Sequence, residues 1–269
     1  MNKNILKYAL LFLSIALADA GNLSASTPHQ KIILSDDWII PTSTVTTFTW
    51  NTVIDGMGHD IVFEDEACFK VDGPDTTYLT IRNCNVKGVA EYDSGNSSIM
   101  FGVAEGQKLI LNDVVFNLAD DFELAGGGLD IVNEVKIKGL DKLFYYSSDD
   151  DIYINSDSTL FFDLHLIFVY APSDLANNHL VMESNSSNLF FNGCIISQGE
   201  HCGLVLTSGH LVVDNVVKFY NDGNEQKVWA LSFGNKSVAS NLKMDISPSA
   251  NLDVVAGRLI YANVDSVRY

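Results

Sequence analysis

The sequence predicts an all-β protein that folds as a single parallel β-helix of about ten coils. Three observations support this fold class. A short strand pattern recurs along the chain, turn-forming residues interrupt each copy at the same place, and no helical periodicity lies between the copies. We expect residues 1–20 to be a signal peptide, 21–30 a linker and 31–269 the β-helix domain.

The recurring unit is a leucine, a second apolar residue two positions later, two polar or small residues, and a third apolar residue. Period-two alternation places the first two on one face of a strand. The third is expected to point inward as well, at Cys84, Val114, Cys194 and Val216. The clearest copies are YLTIRNCNV (78–86), KLILNDVVF (108–116), NLFFNGCII (188–196) and HLVVDNVVK (210–218), and GLDIVNEVKI (128–137) and NLDVVAGRLI (251–260) follow the pattern less closely.

The two residues in the middle of each clear copy are turn formers that tolerate a left-handed backbone. They are Arg82-Asn83, Asn112-Asp113, Asn192-Gly193 and Asp214-Asn215. Copies begin near residues 33, 54, 79, 109, 129, 152, 189, 211, 231 and 252, mostly 20 to 25 residues apart. The longer intervals of 30 and 37 residues predict outward loops or an extra short strand. A β-sandwich or barrel is the alternative fold, but it would show hairpin turns every 8 to 12 residues or so.

The phrase TVIDGMGHDIVF (52–63), followed by YLTIRNCNVKGV (78–89), resembles the opening coils of pectin-lyase-like right-handed parallel β-helix proteins. The resemblance covers most of the chain at the level of pattern, and it implies a right-handed helix. It implies no particular activity, because lyases, glycosidases and adhesins share both phrases. We therefore interpret residues 55–60 as a turn, with Asp55 as turn former and His59 and Asp60 at the surface.

The first twenty residues predict a cleaved secretory signal. Lys3 and Lys7 precede an apolar run that ends in Ala18-Asp19-Ala20, the small-x-small pattern of a signal-peptidase site. The run is too short to span a bilayer comfortably, and no other apolar stretch is longer. We expect an exported protein, periplasmic, at the cell surface or extracellular, without a transmembrane anchor. A retained N-terminal anchor or a lipoprotein is the alternative, although no Cys follows the cleavage site to accept lipid.

The chain is strongly acidic, with 16 basic and 34 acidic residues and a net charge of −18. Such a field repels nucleic acid and anionic lipid, and it repels a polyanion such as pectate unless cations bridge the two. The composition is nevertheless that of a folded protein, since 47% of residues are hydrophobic and 19% are charged. We expect no nucleic-acid partner.

Four cysteines in an exported chain raise the question of disulfides. The repeat places Cys84 and Cys194 at the same inward position on coils that are several strand spacings apart. Because a disulfide requires Cα atoms within about 7 Å, we expect these two to be unbonded, buried apolar residues. Pairing of Cys68 with Cys84, and of Cys194 with Cys202, remains open on sequence grounds.

The chain lacks the catalytic motifs of the enzymes it resembles. Polygalacturonases carry Asn-Thr-Asp, Gly-Asp-Asp, Gly-His-Gly and Arg-Ile-Lys in that order, which supply paired carboxylates. The nearest strings here each lack an essential residue, and the last is out of order: Asn51-Thr52-Val53, Ser148-Asp149-Asp150, Gly209-His210-Leu211 and Lys136-Ile137-Lys138. We expect no catalytic residue. His165 lies in an apolar run and predicts a core or edge position, and His201 and His210 have no partner placed by a local motif.

Asp149-Asp150-Asp151 is the densest charge run and directly precedes a predicted strand at 152–154. We favour a solvated turn for this run, and the same interpretation applies to Asp36-Asp37 and Asp120-Asp121. The three carboxylates are nevertheless the candidate calcium site, because Ca²⁺ prefers oxygen ligands. We expect no other cofactor.

Aromatic residues suggest a binding surface, because sugar rings pack on aromatic faces. The candidates are Tyr145, Tyr146, Tyr153, Tyr170, Tyr220, Trp229 and Tyr261, some of which are expected in the core. The sequence thus predicts an exported binding or adhesin-like module that contacts carbohydrate or a host or cell-surface partner. The alternative function is a polysaccharide lyase or glycoside hydrolase that acts on a cell-wall or host polysaccharide.

Overall fold

The computed structural model describes residues 29–74, 76–93, 96–173, 179–198, 203–221, 229–234, 241–255 and 258–262. The described residues form 27 β-strands and no helix, so the all-β class is confirmed and no described helix is available to cross a membrane. The signal peptide predicted at 1–20 lies outside these residues. In chain order the strands are β1 (His29–Ile33), β2 (Trp38–Ile40), β3 (Val45–Phe48), β4 (Asn51–Asp55), β5 (Asp60–Phe63), β6 (Cys68–Val71), β7 (Tyr78–Val89), β8 (Glu91–Asp93), β9 (Asn96–Ser97), β10 (Ile99–Phe101), β11 (Lys108–Leu118), β12 (Phe122–Leu124), β13 (Gly128–Lys138), β14 (Leu143–Tyr146), β15 (Ile152–Ile154), β16 (Thr159–Phe162), β17 (Ile167–Tyr170), β18 (Leu180–Met182), β19 (Asn188–Asn192), β20 (Ile195–Gln198), β21 (Leu204–Leu206), β22 (Ser208–Asp214), β23 (Val216–Asn221), β24 (Trp229–Phe233), β25 (Asn241–Ile246), β26 (Asn251–Val255) and β27 (Arg258–Ala262).

Long parallel sheets dominate the described structure. The large sheet has 13 strands, with the main order β1-β4-β7-β11-β13-β16-β19-β22-β25 and with β2, β5, β15 and β18 beside this path. A six-stranded sheet has the order β12-β14-β17-β20-β23-β26, and two three-stranded sheets have the orders β3-β6-β10 and β21-β24-β27. The hairpin of β8 and β9 is antiparallel. Parallel pairing between strands about one sequence repeat apart is the arrangement that a parallel β-helix requires.

The strand register stacks equivalent apolar residues above one another. Leu79 pairs with Leu109, which in turn pairs with Leu129. Their side chains are buried, and aromatic rings fill the core farther along the chain. Phe144 stacks on Phe122 and Phe168 with ring centroids 5.8 and 5.9 Å away, close to the strand spacing. The period-two pattern in the sequence therefore predicts the buried face correctly.

The predicted left-handed bends are confirmed. Asn83, Asp113, Gly193 and Asn215, the second residue of each turn pair, have φ values between 53° and 61°. Side-chain amides link neighbouring bends, since Asn133 Nδ2 donates to Asp113 Oδ2 over 3.0 Å. Asn and Asp thus serve both the backbone conformation and the contact between strands.

The four clearest sequence copies contain two different bends of the fold, although the copies share one sequence pattern. The first bend interrupts the large sheet at Asn83 and Asp113, between paired halves of β7 and β11. The second bend leads from the large sheet into the six-stranded sheet. There the N–H of Asp141 donates to the carbonyl of His165, and the N–H of His165 donates to that of Gly193. The copy at 152 begins at β15, which pairs with β18, whereas the copy at 188–196 begins at β19, which pairs with β16. The interval of 37 residues therefore spans one strand more than a single repeat.

The expected inward position of Val216 is wrong. Val216 is 59% exposed, whereas Val217 is fully buried. One extra residue follows the bend at Asn215, and a shift of one position turns every following side chain to the opposite face. Glu134 is the same kind of extra residue, because it separates Asn133 from the buried Val135.

The described cysteines, Cys68, Cys84 and Cys194, are buried and free. The absence of a bond between Cys84 and Cys194 is confirmed, and Cys68 is not bonded to Cys84. The two residues do not share one position, however, because Cys84 follows the first bend and Cys194 the second. Cys202 lies outside the described residues.

Candidate functional site

The outward surface of the six-stranded sheet carries two columns of mainly apolar side chains, which we call the outer face. Core residues such as Phe144 and Phe168 alternate with the outward ones, so β14 and β17 each present two side chains to solvent. The first column contains Leu143, Ile167, Ile195, Lys218 and Asp253, and the second contains Glu123, Tyr145, Val169, Ser197, Tyr220 and Val255.

The outer face is accessible and built on hydrogen-bonded strands. Ile195, Tyr220 and Val255 are exposed, and the other outward side chains of β14, β17 and β20 are half-buried. Tyr145 and Tyr220 lie three strand spacings apart in one column, roughly 14 Å. Lys218 Nζ is 5.9 Å from the Tyr220 ring centroid. The arrangement combines a flat apolar surface with hydroxyl and ammonium groups, which suits an extended, partly polar ligand.

A cleft of about 270 Å³ lies beside the end of the outer face. Glu123 belongs both to the cleft lining and to the column that contains Tyr145. The cleft forms because β10 is the last strand of its three-stranded sheet and pairs with β6 only. The hairpin of β8 and β9, which precedes β10, contributes Glu91 and Ser97 to the cleft lining. A run of three glycines at 126–128 contributes Gly126.

Close packing of the glycine run against Phe101 shapes one wall of the cleft. Gly127 has φ +68°, and a Cβ built on it would lie 2.6 Å from the Phe101 ring. Only glycine therefore allows the backbone to approach the ring this closely. Hydrogen bonds position two polar residues of the cleft lining, Ser97 and Glu123. Ser97 Oγ donates to the carbonyl of Ile99 over 2.7 Å, and Ser147 Oγ donates to Glu123 Oε1 over 2.5 Å.

The tyrosines predicted to line one surface separate into two groups. Tyr145 and Tyr220 share the outer face, and Tyr153 points outward from β15 on the large sheet. Tyr146 and Tyr170 are core residues, which corrects their expected surface role. Their side chains reach buried polar groups, as when the Tyr146 hydroxyl donates to the carbonyl of Asp150 over 2.6 Å. The side chains of Trp229 and Tyr261 lie outside the described part of the structure.

The candidate calcium ligands Asp149, Asp150 and Asp151 have different surroundings. Asp149 accepts hydrogen bonds from the N–H and hydroxyl of Ser173, at 2.7 and 2.5 Å. Asp151 Oδ1 lies 3.3 Å from Nδ1 of the buried His179. Burial, together with the charge of Asp151, raises the pKa of Asp150. A calcium site at these three residues remains a prediction.

Three ligand atoms converge elsewhere, at Asp36, Asp37 and His59. Within the described ranges this is the one group of three potential ligands whose donor atoms all lie within 4.8 Å of one another. The residues occupy exposed or half-exposed turns, and Asp37 Oδ1 already accepts the N–H of Asp60 over 2.9 Å. Two carboxylates and an imidazole are ligand types that a divalent transition metal accepts.

Asp55 is more than a turn former. Its carboxylate is buried and accepts Arg82 Nη2 at 2.7 Å, Arg82 Nε at 2.9 Å and Asn83 Nδ2 at 3.0 Å. Burial raises the pKa of Asp55, but the hydrogen bonds from Asn83, Arg82 and Met57 and the charge of Arg82 outweigh it and leave the pKa lowered. Asp55 therefore links β4 to β7, its neighbour in the large sheet. His59 is half-exposed, as expected.

Sequence reasoning missed a charged pair on the large sheet. Lys108 Nζ lies 3.2 Å from both carboxylate oxygens of Asp130. Burial raises the pKa of Asp130 although Lys108 lowers it, and Asp151 adds a further upward shift. The two residues are 22 positions apart and belong to neighbouring strands, so no local motif could have indicated their contact.

The structure describes the surroundings of two of the three histidines considered from the sequence. His165 is exposed at the second bend with φ 64°, so the expected core or edge position is wrong. His210 Nε2 is 2.9 Å from Asp245 Oδ2, which Lys243 also contacts. His201 lies outside the described residues.

No family model matches the chain, and neither the curated proteins nor the solved structures contain a match.

Proposed function

We propose that the protein is an exported, right-handed parallel β-helix of about ten coils, of the pectin-lyase-like kind, that serves as a surface or extracellular binding module. It binds carbohydrate through the outer face and has no catalytic residues. The stacked parallel sheets support the β-helix, and the N-terminal sequence supports export. In the competing form of this proposal, the module binds a host or cell-surface partner that is not a carbohydrate.

The outer face is the observation that carries the proposal. Its two columns offer apolar side chains on successive strands, with a tyrosine near each end. Sugar rings present an apolar face and a polar rim, and tyrosine provides both a ring and a hydroxyl. Because strands repeat every ~4.8 Å, the columns match a polymer whose units recur at a similar distance. A preformed, rigid surface also lowers the ordering cost of binding.

Replacement of both tyrosines tests the role of the outer face. We expect Tyr145→Ala/Tyr220→Ala to weaken binding to a retained polysaccharide at least about tenfold, because each ring contributes roughly 1 kcal/mol or more of contact. Binding is measured by affinity electrophoresis and sedimentation with a panel of neutral and charged polysaccharides. Tyr153→Ala, an outward tyrosine on the large sheet, is the matched control and should bind as the unaltered protein does.

Two results would overturn the proposal. Retention of no polysaccharide on the panel excludes carbohydrate binding, and equal binding by the double variant and the control excludes the outer face. Reducing-sugar and unsaturated-product assays on the same panel, with and without Ca²⁺, distinguish binding from turnover.

The polysaccharide-cleaving alternative has one specific support. Lys108 and Asp130 lie on neighbouring strands, and Asp151 directly precedes the next one. Partial burial and the charge of Asp151 raise the pKa of Asp130. Carboxyls with raised pKa values are suited to general acid catalysis. Turnover that is lost in Asp130→Asn would establish this alternative in place of a binding module.

A further inference from the structure

The cleft beside the outer face carries an excess of negative charge. Glu91 and Glu123 line it, together with Lys70. Lys70 Nζ lies 2.7 Å from Asp72 Oδ2, so the charge of Lys70 is balanced by Asp72 and not by Glu91 or Glu123. Asp72 itself lies against the cleft, since a Cβ on the lining residue Gly102 would meet its Oδ1 at 2.3 Å. Because the carboxylates outnumber the lysine, the cleft favours a ligand that carries a positively charged group.

Part of the lining of the same cleft is apolar, because Ile99, Met100 and Phe101 of β10 belong to it. Of these residues, Ile99 is buried, and Met100 and Phe101 are half-buried. A small cleft lined by both apolar and acidic residues fits a compact ring that bears an ammonium group. Its volume of about 270 Å³ lies just below the ~300–1,000 Å³ of pockets that hold drug-sized ligands. One sugar unit is therefore the appropriate size of occupant.

The cleft and the outer face are continuous. Glu123 pairs with Tyr145 in the strand register, so a chain that lies along the second column reaches the cleft after one strand spacing. The net charge of −18 also draws cationic polymers toward the protein and repels anionic ones.

We propose that the cleft binds the ammonium group of an amino-sugar unit, and that the ligand of the outer face is a cationic amino-sugar polymer. This inference rests on the proposed function and names its ligand class. Glu91 and Glu123 accept hydrogen bonds from the ammonium group while Phe101 contacts the ring. A charge-assisted contact in a half-enclosed cleft is stronger than one on an open surface.

Two matched hexamers test the inference, glucosamine hexamer and N-acetylglucosamine hexamer, which differ only in the charge and acetylation of the amino groups. Isothermal titration with the full exported chain should give at least about tenfold tighter binding of the glucosamine hexamer at low salt, and the preference should shrink as salt screens the charges. Glu91→Gln/Glu123→Gln should reduce the preference to about twofold or less. Glu134→Gln, an exposed glutamate on the large sheet, should leave it unchanged.

The inference is overturned if the two hexamers bind equally, or if the preference survives in Glu91→Gln/Glu123→Gln. It is also overturned if a hexalysine peptide binds as tightly as the glucosamine hexamer and with the same dependence on the two glutamates, because the cleft would then select charge without the sugar. In each case the proposed function still stands if a neutral polysaccharide binds in a manner that requires Tyr145 and Tyr220. Circular dichroism melts of the glutamine variants confirm that the fold is retained.

Discussion

Asp55 shows how one side chain links local and non-local structure. It is the last residue of β4 and pairs with Arg82 of β7, the neighbouring strand in the large sheet. Its side chain is 6% exposed, whereas that of Arg82 is 35% exposed, so the pair is buried on one side only. Two Arg82 nitrogens and an Asn83 amide satisfy the carboxylate. An ionised aspartate is stable here only because these donors replace the water that burial removes.

We expect Asp55→Asn to destabilise the protein by about 2 kcal/mol at pH 7, less than for a fully buried pair because Arg82 retains solvent. The folded pKa of Asp55 lies below its ordinary value of 3.8, so its contribution is present above that pH. It is lost as the pH falls through the folded pKa. Urea unfolding at pH 7 and near pH 3 should show a difference that shrinks at the lower pH.

Asp157→Asn is the control for this prediction. Asp157 is an exposed bend residue with φ 58°, a conformation that Asn also tolerates. The variant should unfold at almost the same urea concentration as the unaltered protein. Equal destabilisation by the two substitutions would contradict a specific role for Asp55.

At the scale of strands, the bends determine where the chain changes direction within a sheet or between two sheets. Some are held by Asn or Asp, and others require glycine because of what lies beside them. Gly58 and Gly88 both have positive φ, +91° and +74°. A Cβ on Gly58 would meet nothing within 4 Å, whereas a Cβ on Gly88 would lie 2.1 Å from the carbonyl oxygen of Phe63.

This difference predicts unequal effects of the same substitution. Gly58→Ala should cost about 1 kcal/mol, from backbone strain alone. Gly88→Ala should cost at least about 3 kcal/mol, because the backbone of β5 must also move away from the new methyl group. The urea midpoints of the two variants provide the comparison. Similar midpoints would mean that the close approach at Gly88 relaxes without cost.

At the scale of the molecule, each described strand pairs mainly with strands from the adjacent repeats. Stability is then the sum of similar interfaces, each with its own layer of buried side chains. The described cysteines belong to these layers and contribute as apolar residues. Burial raises the pKa of Cys84 and of Cys194 to about 12.

The buried thiols should not react in the native protein. Thiolates are the reactive species, and burial makes them scarce at pH 8 by raising the pKa of Cys68 and, to about 12, the pKa of Cys84 and of Cys194. In a Cys202→Ser variant, Ellman's reagent should modify no thiol in the folded state and three after denaturation in urea. Dithiothreitol should leave the melting temperature unchanged. Prompt native-state modification of any of the three would show that the layers open locally.

The all-β class, the inward face of most strands and the left-handed bends could be predicted from sequence, because they depend on neighbouring residues. Alternation of side chains and the backbone preferences of Asn, Asp and Gly act over a few positions. The same local pattern could not tell the first bend from the second, since both use the same residue types. It also missed the extra residue that turns Val216 outward.

The outer face and the cleft depend on register, which only the three-dimensional structure supplies. Tyr145 and Tyr220 are 75 positions apart, and they share a column because three successive strand pairings align them. Glu91 and Glu123 are 32 positions apart in the sequence. Both line the cleft beside β10, the last strand of its sheet. A shift of one residue in any of these pairings would turn the outward side chains inward. Local sequence therefore specifies which residues make strands, and the pairing of distant strands specifies which side chains make the site.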